Sequence, residues 1–140
     1  MEKIITNSEK ETFEFGSKLG QACRGGEVFA LFGDLGAGKT KLLQGLAEGL
    51  GIITKVNSPT FNILKVYNSI KTKIIFCHID AYRLRSGQDL LDLGIDEYFN
   101  SEKAITAIEW GEKILDILPK NSRIIKIKVI GKNKREISIV

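Results

Sequence analysis

The sequence predicts an α/β domain in which helices pack on a mixed, mostly parallel β-sheet that carries antiparallel hairpins. Apolar, β-prone runs alternate along the chain with segments whose apolar residues recur at helical spacing. The run at residues 27–32 is followed at once by a glycine-rich loop and then by a helical pattern. This order is typical of a three-layer sandwich whose binding site lies beyond the carboxyl end of a buried strand.

The first elements are predicted by their start and stop signals. Ser8 and Glu11 have the spacing of a capping box, so a helix begins there and ends near residues 25–26. Its apolar side is predicted to contain Phe13, Leu19 and Ala22. Residues 27–32 are a buried strand, and the helix after the glycine loop ends where Gly51 can serve as the C′ residue. The apolar residues of that helix are Leu42, Leu43, Leu46, Ala47 and Leu50.

The remaining elements follow from strand patterns and turn residues. Strands at 61–67 and 73–79 are joined by a polar turn at 68–72, which predicts an antiparallel hairpin. A loop with short helical turns follows at 82–100, then a strand at 104–110 and a helical stretch to residue 118. A second hairpin is predicted from strands at 123–130 and 136–140 around the polar residues 131–135.

Composition narrows the class of protein. A chain of 140 residues suits one domain, here residues 1–140, with a core that needs no disulfide or metal. No apolar stretch approaches the roughly 18 residues of a membrane helix, and the charged start lacks the apolar stretch of a signal peptide. Cys23 and Cys77 stand far apart, outside any metal-binding pattern. We therefore expect a soluble cytoplasmic protein that binds neither membrane nor DNA.

The net charge of +4 is concentrated near the carboxyl end. Residues 117–140 carry seven Lys or Arg against one Glu, whereas the other 116 residues carry fourteen against sixteen. Lys126 and Lys128 alternate with apolar residues, which indicates a strand with one solvated face, such as an edge strand. A surface for RNA or an acidic partner is the alternative interpretation.

Residues 33–40 match G-x-x-x-x-G-K-[ST], the phosphate-binding loop of P-loop NTPases. Backbone N–H groups of such a loop surround phosphate oxygens, Lys39 supplies a charge to the β and γ phosphates, and the Thr40 hydroxyl can ligate Mg²⁺. The helix that follows directs its positive end at the phosphates. The pattern predicts that the chain binds ATP or GTP. The predicted nucleotide-binding residues are Gly33, Leu35, Gly36, Ala37, Gly38, Lys39, Thr40 and Lys41.

Hydrolysis also needs carboxylates. Asp80 ends the apolar run 74–79, and Glu109 ends the run 104–108. Both occupy the position of a Walker B acid, where a buried strand delivers a carboxylate to the site. One can hold Mg²⁺ while the other orients or deprotonates the attacking water. We therefore predict Lys39, Asp80 and Glu109 as the catalytic residues.

Three further polar residues have two interpretations each. His78, the only histidine, either orients the carboxylate of Asp80 or simply fills its strand. Ser58 and Thr60 lie in a segment that either acts as a switch at the γ-phosphate or forms a proline-fixed turn before a strand.

Other functions share the same loop. A small-molecule kinase would use Arg83 and Arg85 as a lid, but the chain offers little room for an acceptor domain. A GTPase would need Asn-Lys-x-Asp after a strand, and the nearest approach, residues 133–136, ends in Glu inside a hairpin turn. A binding module whose docking depends on the bound nucleotide remains as a third interpretation.

Five motifs occur in order: GDLGAGKT at 33–40, SPTF at 58–61, HIDAYRL at 78–84, LGIDEYF at 93–99 and IEW at 108–110. Together they closely resemble the bacterial TsaE family, formerly called YjeE. These are small ATPases needed to make threonylcarbamoyladenosine in tRNA. The motifs cover most of residues 27–119, and their combination is far more specific than the phosphate-binding loop alone.

The resemblance implies an ATPase that joins TsaB and TsaD. TsaD transfers the threonylcarbamoyl group to tRNA, and ATP turnover by the TsaE-like chain supports repeated cycles. Contact with tRNA would arise through that complex. The resemblance also implies that Thr40 and Glu109 hold Mg²⁺, that Asp80 assists hydrolysis, and that Trp110 lies beside the site. Ala81 and Lys41 depart from the family, which often has an aliphatic residue and a second Thr there.

Overall fold

A computed structural model describes residues 2–57 and 63–140. The strands are β1 (Glu2–Thr6), β2 (Val28–Phe32), β3 (Leu64–Asn68), β4 (Ile75–Asp80), β5 (Ala104–Glu109), β6 (Arg123–Val129) and β7 (Arg135–Ile139). The helices are α1 (Glu9–Ala22), α2 (Lys39–Gly49), α3 (Gly87–Leu91) and α4 (Ile95–Phe99), with a 3₁₀ turn over Gly111–Ile114.

The described strands form one mixed sheet in the order β1-β7-β6-β2-β5-β4-β3. The four central strands β6, β2, β5 and β4 are parallel, and the strands beyond them pair antiparallel on both sides. The predicted mixed α/β fold and both hairpins are confirmed. Because the parallel strands end at one edge, β2, β4 and β5 deliver their last residues to the same place.

Helices cover both faces of the sheet, which makes three layers. On one face, α1 and α2 pack over a core that includes Phe29, Leu31 and Ile105. On the other face, the short helices α3 and α4 and the 3₁₀ turn pack over a second core that includes Val28 and Ile108. Neighbouring residues of β2 therefore point to opposite cores, as the period of a strand requires.

The two long helices meet through glycines. Gly16 and Gly20 of α1 face α2, and Gly45 and Gly49 of α2 face α1. A Cβ atom at any of the four would overlap a backbone carbonyl oxygen of the opposite helix. Glycine is required here because it lets the two backbones come this close. The prediction for α1 is therefore partly wrong: its fully buried face consists of small residues, and Ala22 is exposed.

Three other differences from the predictions have physical causes. β1 was not predicted, because its five residues are exposed up to Thr6 and show no clean alternation. β6 is not an edge strand, since it lies between β2 and β7, although Lys126 and Lys128 are exposed as expected. The start of the strand predicted at 61–67 falls partly outside the described residues, and β3 begins at Leu64.

Across residues 2–57 and 63–140, the structure contains no helix with the length and apolar character needed to cross a membrane.

Candidate nucleotide-binding site

The glycine loop connects β2 to α2 at the centre of the sheet. β2 ends at Phe32, and α2 begins at Lys39 with Gly38 as its N-cap residue. Gly36 has a φ of 79° and Gly38 a φ of 107°, a region of backbone conformation that favours glycine. The loop therefore has the strand, glycine turn and helix order that the sequence predicted, and it presents the amino end of α2 to the cavity.

Lys39 lies folded onto its own loop. Its side chain is only 5% exposed, and Nζ donates to the carbonyl oxygens of Gly33 and of Asp34, the latter at 3.1 Å. Nζ also lies 3.9 Å from the centre of the Trp110 ring. Burial lowers the pKa of the Lys39 ammonium, and the nearby carboxylates, Glu109 first, act in the opposite direction. Loop carbonyls and an aromatic face thus hold a desolvated cation at the site.

Glu109 is brought to the start of α2 by the sheet. It is the last residue of β5 and only 3% exposed, and its Oε1 accepts a hydrogen bond from Thr40 Oγ1 at 3.0 Å. Its Oε2 lies 2.8 Å from Nε2 of His78. A hydroxyl and a carboxylate separated by 69 positions in sequence are therefore in direct contact at the mouth of the site.

Asp80 stands beside Glu109. The two residues are paired in the register of the parallel strands β4 and β5, so both predicted acids reach the same edge of the sheet. Asp80 is half-buried, and its Oδ1 accepts a hydrogen bond from the backbone N–H of Tyr82 at 3.0 Å. Among the described residues nothing donates to its Oδ2, which leaves one carboxylate oxygen for a water or a ligand.

The interpretation that His78 orients the carboxylate of Asp80 is wrong. His78 is fully buried, and its ring contacts Glu109 instead. Its ring stacks on Phe76 with the ring centres 6.1 Å apart. Side chains two residues apart on a strand share a face, so His78 and Asp80 point the same way but reach different depths of the site.

Trp110 covers the lysine from the opposite layer. Its φ of 61° makes it the one described residue other than glycine with a positive φ, a conformation that costs on the order of 1–2 kcal/mol. This backbone turns the chain from β5 into the 3₁₀ turn. The Tyr82 ring lies 5.1 Å from the Trp110 ring and is itself covered by Lys113 Nζ at 4.8 Å.

A cavity of about 500 Å³ joins these groups. The lining residues are Glu9, Leu35, Gly36, Ala37, Gly38, Lys39, Thr40, Lys41, Gln44, Asp80, Tyr82, Glu109 and Trp110. Nearly all the predicted site residues within the described ranges are among them, and Gly33 contacts the site through Lys39. Glu9, Gln44 and Tyr82 were not predicted, since no local motif marks them.

Arg135 is a further residue that sequence reasoning missed. Its Nε donates to the carbonyl oxygen of Ala37 at 2.8 Å, across 98 positions of sequence. Arg135 and Lys132 also line a second cavity of about 200 Å³, which shares Glu9, Gly36, Gly38 and Lys41 with the first. The β6–β7 hairpin therefore contacts the phosphate-binding loop through Arg135. This contact depends on the pairing of β6 with β7.

The predicted switch residues Ser58 and Thr60 lie outside the described residues. Their interpretations stay predictions.

Thr40 and Glu109 are the residues of the site that could hold a Mg²⁺ ion. No group of three or more His, Cys, Asp or Glu that could hold a metal occurs within the described part of the chain. Mg²⁺ at a nucleotide site typically takes one or two protein oxygens together with phosphate and water oxygens. Thr40 and Glu109 offer a hydroxyl and a carboxylate 3.0 Å apart, which matches that need.

Comparison with known proteins gives a consistent result. The family model described as "Threonylcarbamoyl adenosine biosynthesis protein TsaE" matches residues 6–137. The tRNA threonylcarbamoyladenosine biosynthesis protein TsaE of Treponema pallidum is 36% identical over 98% of both chains. The protein of that name from Bacillus subtilis is 41% identical over 97% of this chain and 83% of its own.

A solved structure agrees with the sequence comparisons. The crystal structure of Bacillus subtilis YdiB superposes with a TM-score of 0.80 at 36% sequence identity, over 99% of this chain and 83% of that one. The chain belongs to the TsaE family.

Proposed function

We propose that the protein is a Mg²⁺-dependent ATPase of the bacterial machinery that makes threonylcarbamoyladenosine in tRNA. The observation that carries the ATPase part is the contact of Thr40 Oγ1 with Glu109 Oε1 beneath a complete phosphate-binding loop. The names of its relatives support the tRNA part. In this proposal the chain acts in the cytoplasm with TsaB and TsaD and sustains their turnover, without transferring the group itself.

The phosphates would lie in the larger cavity, against the loop and the amino end of α2. Lys39 would leave the carbonyl oxygens of Gly33 and Asp34 and bind the β and γ phosphates, which offer stronger acceptors for its charge. Thr40 and Glu109 would hold Mg²⁺. When bound, the metal neutralises the charge that develops on the phosphate oxygens.

Asp80 would act on the attacking water. The backbone N–H of Tyr82 fixes one of its oxygens, so the other has a defined direction. A carboxylate held in this way can orient a water and accept its proton as the phosphoryl group is transferred. Glu109 is less suited to this task, because its two oxygens already contact Thr40 and His78.

The adenosine end would extend into the smaller cavity. That cavity shares Glu9, Gly36, Gly38 and Lys41 with the larger one. Its other lining residues come from the start of α1, from the β6–β7 turn and from Arg135 of β7. Arg135 would then hold the loop carbonyl and line the nucleotide cavity at the same time. The proposal favours ATP, since the sequence lacks the motif that reads guanine.

The deciding experiment measures ATP hydrolysis with Mg²⁺ by the chain alone and together with TsaB, TsaD and tRNA. Lys39→Ala serves as the blank, because it removes the phosphate-binding charge. Turnover that depends on Lys39 and rises with the partners would support both parts of the proposal. Hydrolysis that the partners and tRNA leave unchanged would overturn the tRNA part, and absence of ATP binding would overturn the whole.

A second experiment separates the two acids. Glu109→Ala should weaken the Mg²⁺ dependence of nucleotide binding, because it removes a metal ligand. Asp80→Asn should spare binding and lose turnover, because the amide cannot accept the proton of the water. Trp110 is the only tryptophan and lies 3.9 Å from Lys39 Nζ, so its fluorescence provides the binding signal. Equal loss of binding in the two variants would contradict this division.

A further inference from the structure

The buried pair His78–Glu109 contains a contact that the roles above do not use. His78 is 0% exposed, its Nε2 lies 2.8 Å from Glu109 Oε2, and among the described residues no group bonds to its Nδ1. Burial of an imidazole nitrogen without a hydrogen-bond partner lowers the free energy of unfolding. The single hydrogen bond it does make is to the carboxylate that also contacts Thr40.

We propose that His78 is a positioning residue: its Nε2–H holds one oxygen of Glu109, so that the other oxygen faces Thr40 and the magnesium position. This inference rests on the proposed function, because Glu109 must be a metal ligand for its orientation to matter.

The chemistry of the contact fixes the tautomer. An ionised carboxylate only accepts hydrogen bonds, so the hydrogen lies on Nε2 of His78 and points at Oε2 of Glu109. Nδ1 has no hydrogen-bond partner among the described residues, so the Nε2–H is the contact through which the ring acts on Glu109.

The fold gives His78 little freedom to do anything else. β4 and β5 are parallel, and His78 is paired in register with Ala107, two residues before the pair of Asp80 and Glu109. The small side chain of Ala107 leaves room on this face for the Glu109 carboxylate to reach back to the imidazole. The stacking of Phe76 then fixes the plane of the ring.

The consequence concerns the metal more than the nucleotide. Loss of the His78 hydrogen bond would free the Glu109 carboxylate to rotate about its last torsion, and both oxygens would compete for Thr40. Partners of this kind, one contact away from a metal, typically change metal affinity or activity by about 10- to 100-fold. Within the described part of the chain, the one hydrogen bond of the His78 ring is to Glu109, so binding of nucleotide without metal should be unaffected.

Three substitutions at residue 78 test the proposal. In His78→Gln the side-chain amide nitrogen can reach the position of Nε2, in His78→Asn it falls short, and in His78→Leu no donor remains. We expect His78→Asn and His78→Leu to raise the Mg²⁺ concentration for half-maximal ATPase by about tenfold or more. His78→Gln should stay within about threefold of the wild type, and ATP binding in EDTA should be the same for all.

Phe76→Leu is the matched control. Phe76 is equally buried on the same strand and stacks on His78, so its substitution disturbs the core without removing the donor. It should lower Tm while leaving the Mg²⁺ response nearly unchanged. The proposal is overturned if His78→Asn and His78→Leu merely lower Tm as Phe76→Leu does.

A readout independent of activity tests the pairing itself. His78 is the only histidine, so its imidazole nitrogens can be assigned directly by NMR. We expect a slowly exchanging Nε2–H whose resonance shifts and whose exchange quickens in Glu109→Ala, where the acceptor is lost. An Nε2 that carries no hydrogen would overturn the proposal. Failure of the wild type to bind Mg²⁺ and ATP would defeat the proposed function separately, whatever the tautomer.

Discussion

The two helical layers of this protein are built in different ways. On one face of the sheet, α1 and α2 meet backbone to backbone through four glycines, and α2 carries Lys39 and Thr40. On the other face, two five-residue helices and a 3₁₀ turn pack through side chains and supply Trp110. Backbone contacts leave no freedom to adjust, whereas side-chain contacts can relax. We call the α1–α2 side the rigid layer and the side of α3, α4 and the 3₁₀ turn the adaptable layer. The phosphate-binding loop is attached to the rigid layer and covered by the adaptable layer.

The largest expected effect is on the rigid layer. Gly45→Ala would place a Cβ on the carbonyl oxygen of Phe13, and neither helix backbone can move aside without breaking the other glycine contacts. We expect a loss of about 3 kcal/mol in the free energy of unfolding, although alanine itself favours a helix. This corresponds to a fall in Tm of roughly 10 °C, measured by thermal unfolding.

Gly87→Ala is the comparison in the adaptable layer. Its Cβ would also overlap neighbours, but these are side-chain atoms of Ile117 and Asp116, and no backbone atom is among them. We expect a loss of about 1 kcal/mol. Equal losses in the two variants would contradict the difference between the layers.

Lys39 begins α2 of the rigid layer and contacts Trp110 of the adaptable layer. Its substitution should weaken ATP binding without lowering the stability of the fold. Because burial lowers its folded-state pKa, the folded protein disfavours the charged form. Below the folded-state pKa the ammonium is charged in both states and its burial opposes folding, and stability rises with pH between the folded-state pKa and the ordinary value of 10.5. Lys39→Met should therefore weaken ATP binding by about 100-fold or more while Tm stays equal or rises.

The measurements for Lys39→Met are ATP titration monitored by Trp110 fluorescence and a thermal melt at pH 7. Lys41→Met is the comparison for the thermal melt, since Lys41 lies on the same helix and lines the cavity but is less buried, so its substitution should leave Tm nearly unchanged. A fall in Tm of more than about 5 °C for Lys39→Met would show that the loop contacts outweigh the cost of burial.

A smaller effect is expected for Arg135 of β7, which contacts the phosphate-binding loop from the β-sheet. Arg135→Met removes the donor to the Ala37 carbonyl and leaves the loop less restrained. Hydrogen bonds from charged groups contribute roughly 1.5–3 kcal/mol, so we expect ATP binding to weaken by about tenfold. Lys134→Met removes the same charge from an exposed neighbour and should change binding little. Equal effects would mean that Arg135 acts through net charge alone.

The smallest effect compares one cysteine from each core, Cys23 on the side of α1 and α2 and Cys77 on the side of α3 and α4. Burial raises the pKa of Cys23 to about 12, with Glu27 as a further cause, and burial raises the pKa of Cys77 to about 12. At pH 8 each thiolate population should be about a thousandfold below that of an unshifted thiol. Alkylation with iodoacetamide should accordingly be slow in the folded protein and fast in denaturant. Rapid reaction of Cys23 alone would mean that the end of α1 opens locally.

Much of the fold follows from local signals in the sequence. The Ser8 side chain accepts from the Glu11 N–H as the capping pattern predicts, and Gly51 has the positive φ expected of a C′ residue. Short, exposed β1 carries no such signal, because pairing with β7 creates it. Elements set by local hydrogen bonds and periodicity are predictable, while elements that exist only through a distant partner are not.

The same distinction between local signals and distant partners applies to the residues of the site. The sequence by itself determined the phosphate-binding loop, the two strand-end acids and the family, because contiguous residues and strand ends carry these features. Only the tertiary structure decided that His78 contacts Glu109 and not Asp80, that Arg135 holds the loop, and that glycines join α1 to α2. Those contacts depend on strand order, register and the distance between backbones, which arise when separate segments pack together.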